Sequence, residues 1–285
     1  MNRSLSTIAR SLVLLAIFSS AGVRAQTRIL LDDDWKFTFG HAANASKDFN
    51  YSIATLFTKA GETDGTAIAP RFNDSTWETV QIPHDWAVRL PFVKSPNSDV
   101  MSHGYKPVGG LFPETSIGWY RKKFSIARSD SGKRFQIEFD GVYRNSMIWL
   151  NGQFVGNNLS GYIGKKFDVT DIVNFDNPNV LVVRVDATQY EGWFYEGAGI
   201  YRHVWLNRYE NLHIKRGQVF VHTDGGSASG IVTIETPIEN QSSASARGAV
   251  RTLIADHQGR IVARSRDEAV AAAVNKTSVA LQHVT

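Results

Sequence analysis

The sequence predicts an all-β protein built from β-sandwiches. Three observations lead there. Short segments with period-two alternation recur along the chain, as in Phe135-Gln136-Ile137-Glu138-Phe139 and, less strictly, Val180 to Val185. Asn151-Gly152 separates Met147-Ile148-Trp149-Leu150 from Gln153-Phe154-Val155. Asn-Gly is the favoured pair for a type I′ hairpin turn, whose two central residues need positive φ. No long stripe of helical periodicity is present, and turn residues rather than helices join the strand patterns. This arrangement argues for a sandwich or jelly roll, not a βα alternation.

Met1 to Ala25 comes first. It holds Arg3 and Arg10, the apolar run Leu12 to Phe18, and Val23-Arg24-Ala25. This is a basic n-region, a short h-region and a small-residue cleavage site. Residues 1–25 are therefore expected to be a signal peptide, cut after Ala25, with a periplasmic or extracellular destination. The run is too short to span a bilayer, which takes about 20 apolar residues. The segment carries Arg3, Arg10 and Arg24 and no acid, so removing it lowers the formal net charge of +4 to nearly neutral. No Lys/Arg block interleaves with aromatics, and neither nucleic acid nor a membrane is expected as a partner. Cysteine is absent. That excludes a disulfide framework, a thiolate metal site and a cysteine nucleophile, so the fold rests on its core. The 42% apolar residues suffice for one large or two modest cores.

Two stretches in the first half lack periodicity. Ala42 to Pro70 is small and polar. Ala87 to Ile117 holds Pro91, Pro96, Pro107 and Pro113 with Gly104, Gly109 and Gly110. Irregular connections of this length are functional or disordered as a rule. Between them stands Pro83-His84-Asp85-Trp86. Asp85 is expected to cap local backbone N–H groups, and Trp86 to fill the core. A His84–Asp85 dyad is disfavoured, because adjacent side chains on extended backbone point to opposite faces.

Downstream, Glu191 to Tyr201 gathers four aromatics, three glycines and the carboxylates of Glu191 and Glu196. Aromatic faces stack on the C–H face of a sugar ring, and carboxylates accept its hydroxyl protons. The same composition suits a glycine-rich turn between two strands. A boundary falls near Asn207 to Asn211, since all seven tryptophans precede Leu212. Residues 209–285 read as an immunoglobulin-like sandwich with strands at Val219-Phe220-Val221, Val232 to Thr236, Ala249 to Ala255 and Ile261 to Ala263, the last two joined by a turn at Asp256-His257-Gln258-Gly259. Only about 75 residues are available where such a domain has roughly 100, so this domain is expected to be incomplete. The eight histidines show no ligand spacing, and no metal or cofactor is expected.

Seven segments in order then carry a resemblance: Pro83-His84-Asp85-Trp86; Gly118-Trp119-Tyr120-Arg121-Lys122-Lys123-Phe124; Phe139-Asp140-Gly141-Val142; Ile148-Trp149-Leu150-Asn151-Gly152; Phe167-Asp168-Val169-Thr170; Val183-Arg184-Val185-Asp186; and Gly197-Ala198-Gly199-Ile200-Tyr201-Arg202. Together they resemble the N-terminal sugar-binding jelly roll of glycoside hydrolase family 2, which includes β-galactosidases, β-glucuronidases and β-mannosidases. The resemblance implies a galactose-binding-like jelly roll over 26–208, an immunoglobulin-like sandwich, and then a catalytic TIM barrel. In the family the barrel supplies two Glu residues, an acid/base and a nucleophile. This chain shows no βα alternation and no Asn-Glu dipeptide, so no catalytic residue is assigned in it. A terminal β-linked sugar is the implied substrate, with β-galactoside favoured, and the barrel is the implied partner; a homo-oligomer is compatible. Some members contact the sugar from the jelly roll, at positions that match the stretch before Gly118 and the loop 191–196. The implied substrate-binding residues are Glu191, Trp193, Tyr195, Glu196 and Thr115. At Thr115 the chain departs from members that carry Asn. The alternative reading is a free-standing carbohydrate-binding module of the same fold.

Overall fold

The computed structural model describes residues 26–56, 64–94, 106–189, 197–223 and 230–284. Ten strands form the first part: β1 (Gln26–Leu30), β2 (Trp35–Phe39), β3 (Glu78–Val80), β4 (Ile117–Phe124), β5 (Arg134–Phe139), β6 (Ser146–Leu150), β7 (Gln153–Asn158), β8 (Lys165–Asp168), β9 (Asn179–Asp186) and β10 (Val204–Tyr209). They make a six-stranded sheet in the order β3-β2-β4-β9-β6-β7 and a four-stranded sheet in the order β1-β10-β5-β8, all antiparallel. The predicted hairpin is present. Asn151 has φ 53° and Gly152 φ 82°, as a type I′ turn requires. One four-residue α-helix, α1 (Trp86–Arg89), accompanies the strands.

The two sheets face each other across the main core. Phe135, Ile137, Phe139 and Leu206 come from the four-stranded sheet; Trp35, Tyr120, Ile148, Leu181, Val183 and Val185 come from the six-stranded one. A second core lies on the other face of the six-stranded sheet. There Trp119, Trp149, Val180 and Val182 pack under Phe49, Tyr51, Ala67, Ile68, Phe72 and Trp77. This explains the weak alternation of Val180 to Val185, because β9 is buried on both faces. It also gives much of the stretch 42–70 a structural task. Asp48 from this stretch accepts from Trp119 Nε1 (2.6 Å) and from Arg184 Nη2 (2.8 Å), tying the cover to the sheet beneath. In this way β4 distributes its motif by alternation: Trp119 and Arg121 face the cover, while Tyr120 faces the main core.

Beyond β10 come β11 (Leu212–Ile214), β12 (Phe220–Thr223), β13 (Val232–Asn240), β14 (Ala246–Val250), β15 (Leu253–Ala255), β16 (Ile261–Arg264), β17 (Glu268–Ala272) and β18 (Lys276–Val284). Strand β13 pairs with β11, β12 and β18, the last along nine residues. Strands β14 and β17 pair, as do β15 and β16. The strand expected over Ala249 to Ala255 is in fact two, because the chain leaves β14 for β15 at Arg251-Thr252. Asp256 shapes the turn after β15, accepting from Gln258 N and Arg260 N at 2.9 Å each, and Gly259 takes φ 79°. The apolar cluster here is small, with Ile238, Val270 and Ala280 at its centre. Buried polar side chains link its strands: Gln282 Nε2 donates to Val250 O (2.8 Å), and Asn240 Nδ2 to Ala272 O (3.0 Å).

Candidate functional site

Three of the seven motifs meet at one end of the first sandwich. The chain returning through Gly197 to Ile200 lies against Pro83 to Ala87. His84 N donates to Ile200 O (2.7 Å) and Trp86 N to Ala198 O (3.0 Å). On the other side, Tyr143 and Gly199 exchange a pair of backbone bonds at 2.9 and 2.8 Å. The Asp85 carboxylate completes the clamp. Its Oδ1 accepts from Ala87 N (3.0 Å), capping α1, and from Ala198 N (2.9 Å). Asp85 thus caps backbone N–H groups as expected, and one of the two lies 113 residues away.

The glycines explain why the segment reads Gly-Ala-Gly. Gly197 has φ 76° and Gly199 φ 122°. A Cβ on Gly197 would stand 2.6 Å from Asp85 Oδ2; one on Gly199 would stand 2.5 Å from both His84 O and the Tyr120 hydroxyl. Only glycine meets both demands, the left-handed backbone and the close approach. Gly118 answers a third, since a Cβ there would run into the Trp86 ring at 2.4 Å.

Beneath the clamp, His84 and Tyr120 form a buried pair, with Nδ1 2.8 Å from the phenol oxygen. His84 therefore partners Tyr120, not Asp85. Burial, helped by the nearby charge of Arg89, lowers the His84 pKa to about 4, so its imidazole is neutral at physiological pH. Burial likewise raises the Tyr120 pKa well above its ordinary value, and the phenol stays protonated. An imidazole that accepts from this phenol at Nδ1 carries its own proton on Nε2. That nitrogen is buried and has no partner among the described residues. A consequence for stability follows. The folded pKa lies below that of an unfolded histidine, about 6.5. Between about pH 6.5 and 4 the unfolded chain binds a proton that the folded chain refuses, so stability falls as the pH is lowered through this window. The whole window is worth about 3 kcal/mol. Urea midpoints at pH 7 and 4.5 are expected to differ less in His84→Gln than in the wild type; equal pH dependence in both would refute the assignment.

The residues expected to touch a sugar are placed as follows. Glu191, Trp193, Tyr195 and Glu196 lie outside the described residues. The described chain resumes after them at Gly197, inside the clamp. Thr115 is half-buried and works locally: its hydroxyl donates to Pro107 O, and its carbonyl accepts from Trp86 Nε1 (2.8 Å). Through Trp86 it is joined to the same clamp. What sequence reasoning missed is a cleft beside the clamp whose lining includes Asp140, Tyr201 and Arg202. These residues stand inside two of the recognised motifs, but residues 139–142 and 197–202 give no sign that they share one depression.

Comparison with known proteins agrees with this geometry. The family model described as "Glycosyl hydrolases family 2, sugar binding domain" matches residues 30–209. The chain is 34% identical over 260 residues to the β-galactosidase BoGH2A of Bacteroides ovatus, which covers 90% of this chain and 27% of that protein. It is 34% identical over 169 residues to a putative β-glucuronidase of Formosa agariphila, covering 59% and 16%. Among solved structures, a family 2 member from Bacteroides cellulosilyticus superposes with a TM-score of 0.70 at 26% identity, covering 90% of this chain and 31% of that one. The chain thus spans about a quarter or less of the length of these curated relatives. With a match over residues 30–209, the seven motifs in order and the shared fold, the chain belongs to glycoside hydrolase family 2, of which it carries the N-terminal sugar-binding domain.

Proposed function

We propose that this chain is the N-terminal, non-catalytic part of an exported family 2 glycosidase that removes a terminal β-linked sugar, a β-galactosidase by preference. The observation that carries the reading is its 34% identity to a β-galactosidase over 90% of the chain. The relatives bear glycosidase names, which favours this reading over a free-standing lectin. In it the catalytic carboxylates belong to a barrel, and the described residues form sandwiches only. The jelly roll presents loop 191–196 to the terminal sugar. Glu191 and Glu196 accept from its hydroxyls, and Trp193 or Tyr195 stacks on its ring. The clamp at Asp85, Gly197 and Gly199 supports this role by holding the loop's base in one place.

In the complete enzyme, Glu191→Gln or Glu196→Gln is expected to lower kcat/KM by about 1.5–3 kcal/mol, the range for a charge-assisted hydrogen bond. Trp193→Ala is expected to lose activity as well. All three should melt close to the wild type. Unchanged kcat/KM in all three would end the sugar-contact reading. N-terminal sequencing of the secreted protein should begin at Gln26, and a retained Met1 would exclude the export signal.

A further inference from the structure

The cleft beside the clamp lies at the end of the four-stranded sheet, outside the main core. It has a volume of about 690 Å³, within the usual range for small-molecule sites. Its walls include Glu138, Asp140, Lys166, Tyr201, Arg202 and His203. Close backbone approach shapes it. A Cβ on Gly141 would meet the Tyr201 ring at 2.9 Å, and one on Gly164 would meet Phe139 O at 2.9 Å.

The lining carries two carboxylates, Glu138 and Asp140, and three cations, Lys165, Lys166 and Arg202, and most are satisfied; Lys165 donates to Asn157 O at 2.6 Å. Arg28 reaches Asp140 (3.0 Å) and Glu138 (3.4 Å) and stacks over Trp205 at 3.6 Å. Glu138 also receives Asn207 Nδ2 (2.7 Å), with Lys166 (3.8 Å) and Arg216 (3.7 Å) nearby. His203 pairs with Asp32 at 2.5 Å. Three groups retain capacity, among them Lys166, whose ammonium reaches only Arg216 O at 3.5 Å and Glu138 at 3.8 Å among the described residues. Each oxygen of Asp140 has one donor, Arg28 on one side and Trp205 Nε1 (2.8 Å) on the other, and its side chain is 30% exposed. That leaves lone pairs for a ligand. Arg202 makes no ion pair among the described residues, and its guanidinium lies 5.5 Å from the Tyr201 ring. The Tyr201 hydroxyl is committed to Gly161 O (2.8 Å), so the ring offers C–H and π surface.

An anion entering here would meet two carboxylates. A cation would find both already held by Arg28. A neutral polyol suits the lining, because its hydroxyls donate to Asp140 and accept from Arg202 and Lys166 while its C–H surface lies on an aromatic. We propose that this cleft is a second saccharide-binding site of the jelly roll, taking a neutral β-linked oligosaccharide. The inference rests on the reading that the protein handles carbohydrate, but it uses none of the residues of loop 191–196. Such a site would hold a polymeric substrate beside the enzyme without taking part in bond cleavage.

Trp205 is the natural reporter, since its indole N–H bonds to Asp140 inside the cleft. Its indole NMR resonance, assigned with Trp205→Phe, is followed while β-1,4-galactotetraose is added to the whole chain. The resonance is expected to shift saturably in the wild type and in Glu191→Gln. In Arg202→Ala and in Lys166→Ala the affinity is expected to fall about tenfold, the equivalent of one hydrogen bond. Both replaced side chains are exposed, so the fold should persist. An unmoved resonance, equal affinity in both cleft variants, or a response to sodium sulfate but not to the tetraose would each overturn the proposal. Loss of the response in Glu191→Gln would reduce the two sites to one and overturn it too. The loop reading fails separately, by unchanged kcat/KM in the loop variants while the cleft still binds.

Discussion

Gly199→Ala is expected to destabilise the protein by about 3–5 kcal/mol. Two costs add. An alanine at φ 122° is strained by about 1–3 kcal/mol. Its Cβ would also stand 2.5 Å from His84 O, a backbone atom, and 2.5 Å from the Tyr120 hydroxyl. Neither can yield cheaply. Residue 84 is held by its bond to Ile200 O, and Tyr120 is packed in the main core. Gly132→Ala is the control. Gly132 also has positive φ, 86°, but nothing lies within 4 Å of its Cβ. It should lose only about 1–2 kcal/mol, the left-handed penalty by itself. Urea unfolding of the two variants separates strain from collision, and similar midpoints would mean that the clamp is softer than its distances imply. In the complete enzyme, a surviving Gly199→Ala should also lose activity if residues 191–196 contact the sugar as proposed, because the clamp that follows them shifts.

The second large effect concerns the cover over the six-stranded sheet. Arg121 is 1% exposed, and its Nε donates to Asp74 Oδ2 at 2.8 Å. Its remaining donors face Ala67 O and Pro70 O. Asp74→Asn removes the countercharge and leaves a guanidinium buried without one. A loss of about 3–5 kcal/mol is expected. The double variant Asp74→Leu/Arg121→Met should recover most of it, since replacing both members of a buried pair with apolar groups is close to neutral. By contrast, Arg89→Ala at the exposed Arg89–Glu78 pair should change stability by less than about 1 kcal/mol. The pair also has a pH signature. Burial pushes the Asp74 carboxyl up, but the hydrogen bond and charge of Arg121, with Lys123, outweigh it and hold its pKa below the usual range. The folded pKa is depressed, so its contribution is present above the unfolded value of about 3.9 and is lost as the pH falls through the folded value. The His84 window ends where this one begins. Acid unfolding should therefore show an upper stage that is reduced in His84→Gln and a lower one that is reduced in Asp74→Asn; His213, also held low by burial, shares the upper stage, and Asp130 and Asp168 share the lower. Slopes equal to the wild type's in both windows for both variants would contradict this division.

The sequence by itself determined the all-β class, the type I′ turn at Asn151-Gly152, the capping role of Asp85 and the family. Each rests on local chemistry. Alternation reports a half-buried strand, Asn-Gly reports positive φ, and seven short motifs in order carry information that none carries singly. Local pattern served less well where two faces are buried. Val180 to Val185 alternates poorly because β9 is covered on both sides, and the cover itself read only as a long irregular stretch. Nothing in residues 42–70 shows that Asp48 will meet Arg184, 136 positions later. The same holds for the clamp and the cleft. Gly197 and Gly199 read as turn residues, yet the reason for them is the proximity of Asp85, His84 O and Tyr120. Asp140, Lys166 and Arg202 come from three separate strand ends. They share a cleft only because β10 and β8 pair with β5 on either side. Contacts between residues distant in sequence depend on strand order and register, which are set by the packing of whole sheets, and tertiary structure alone decides them.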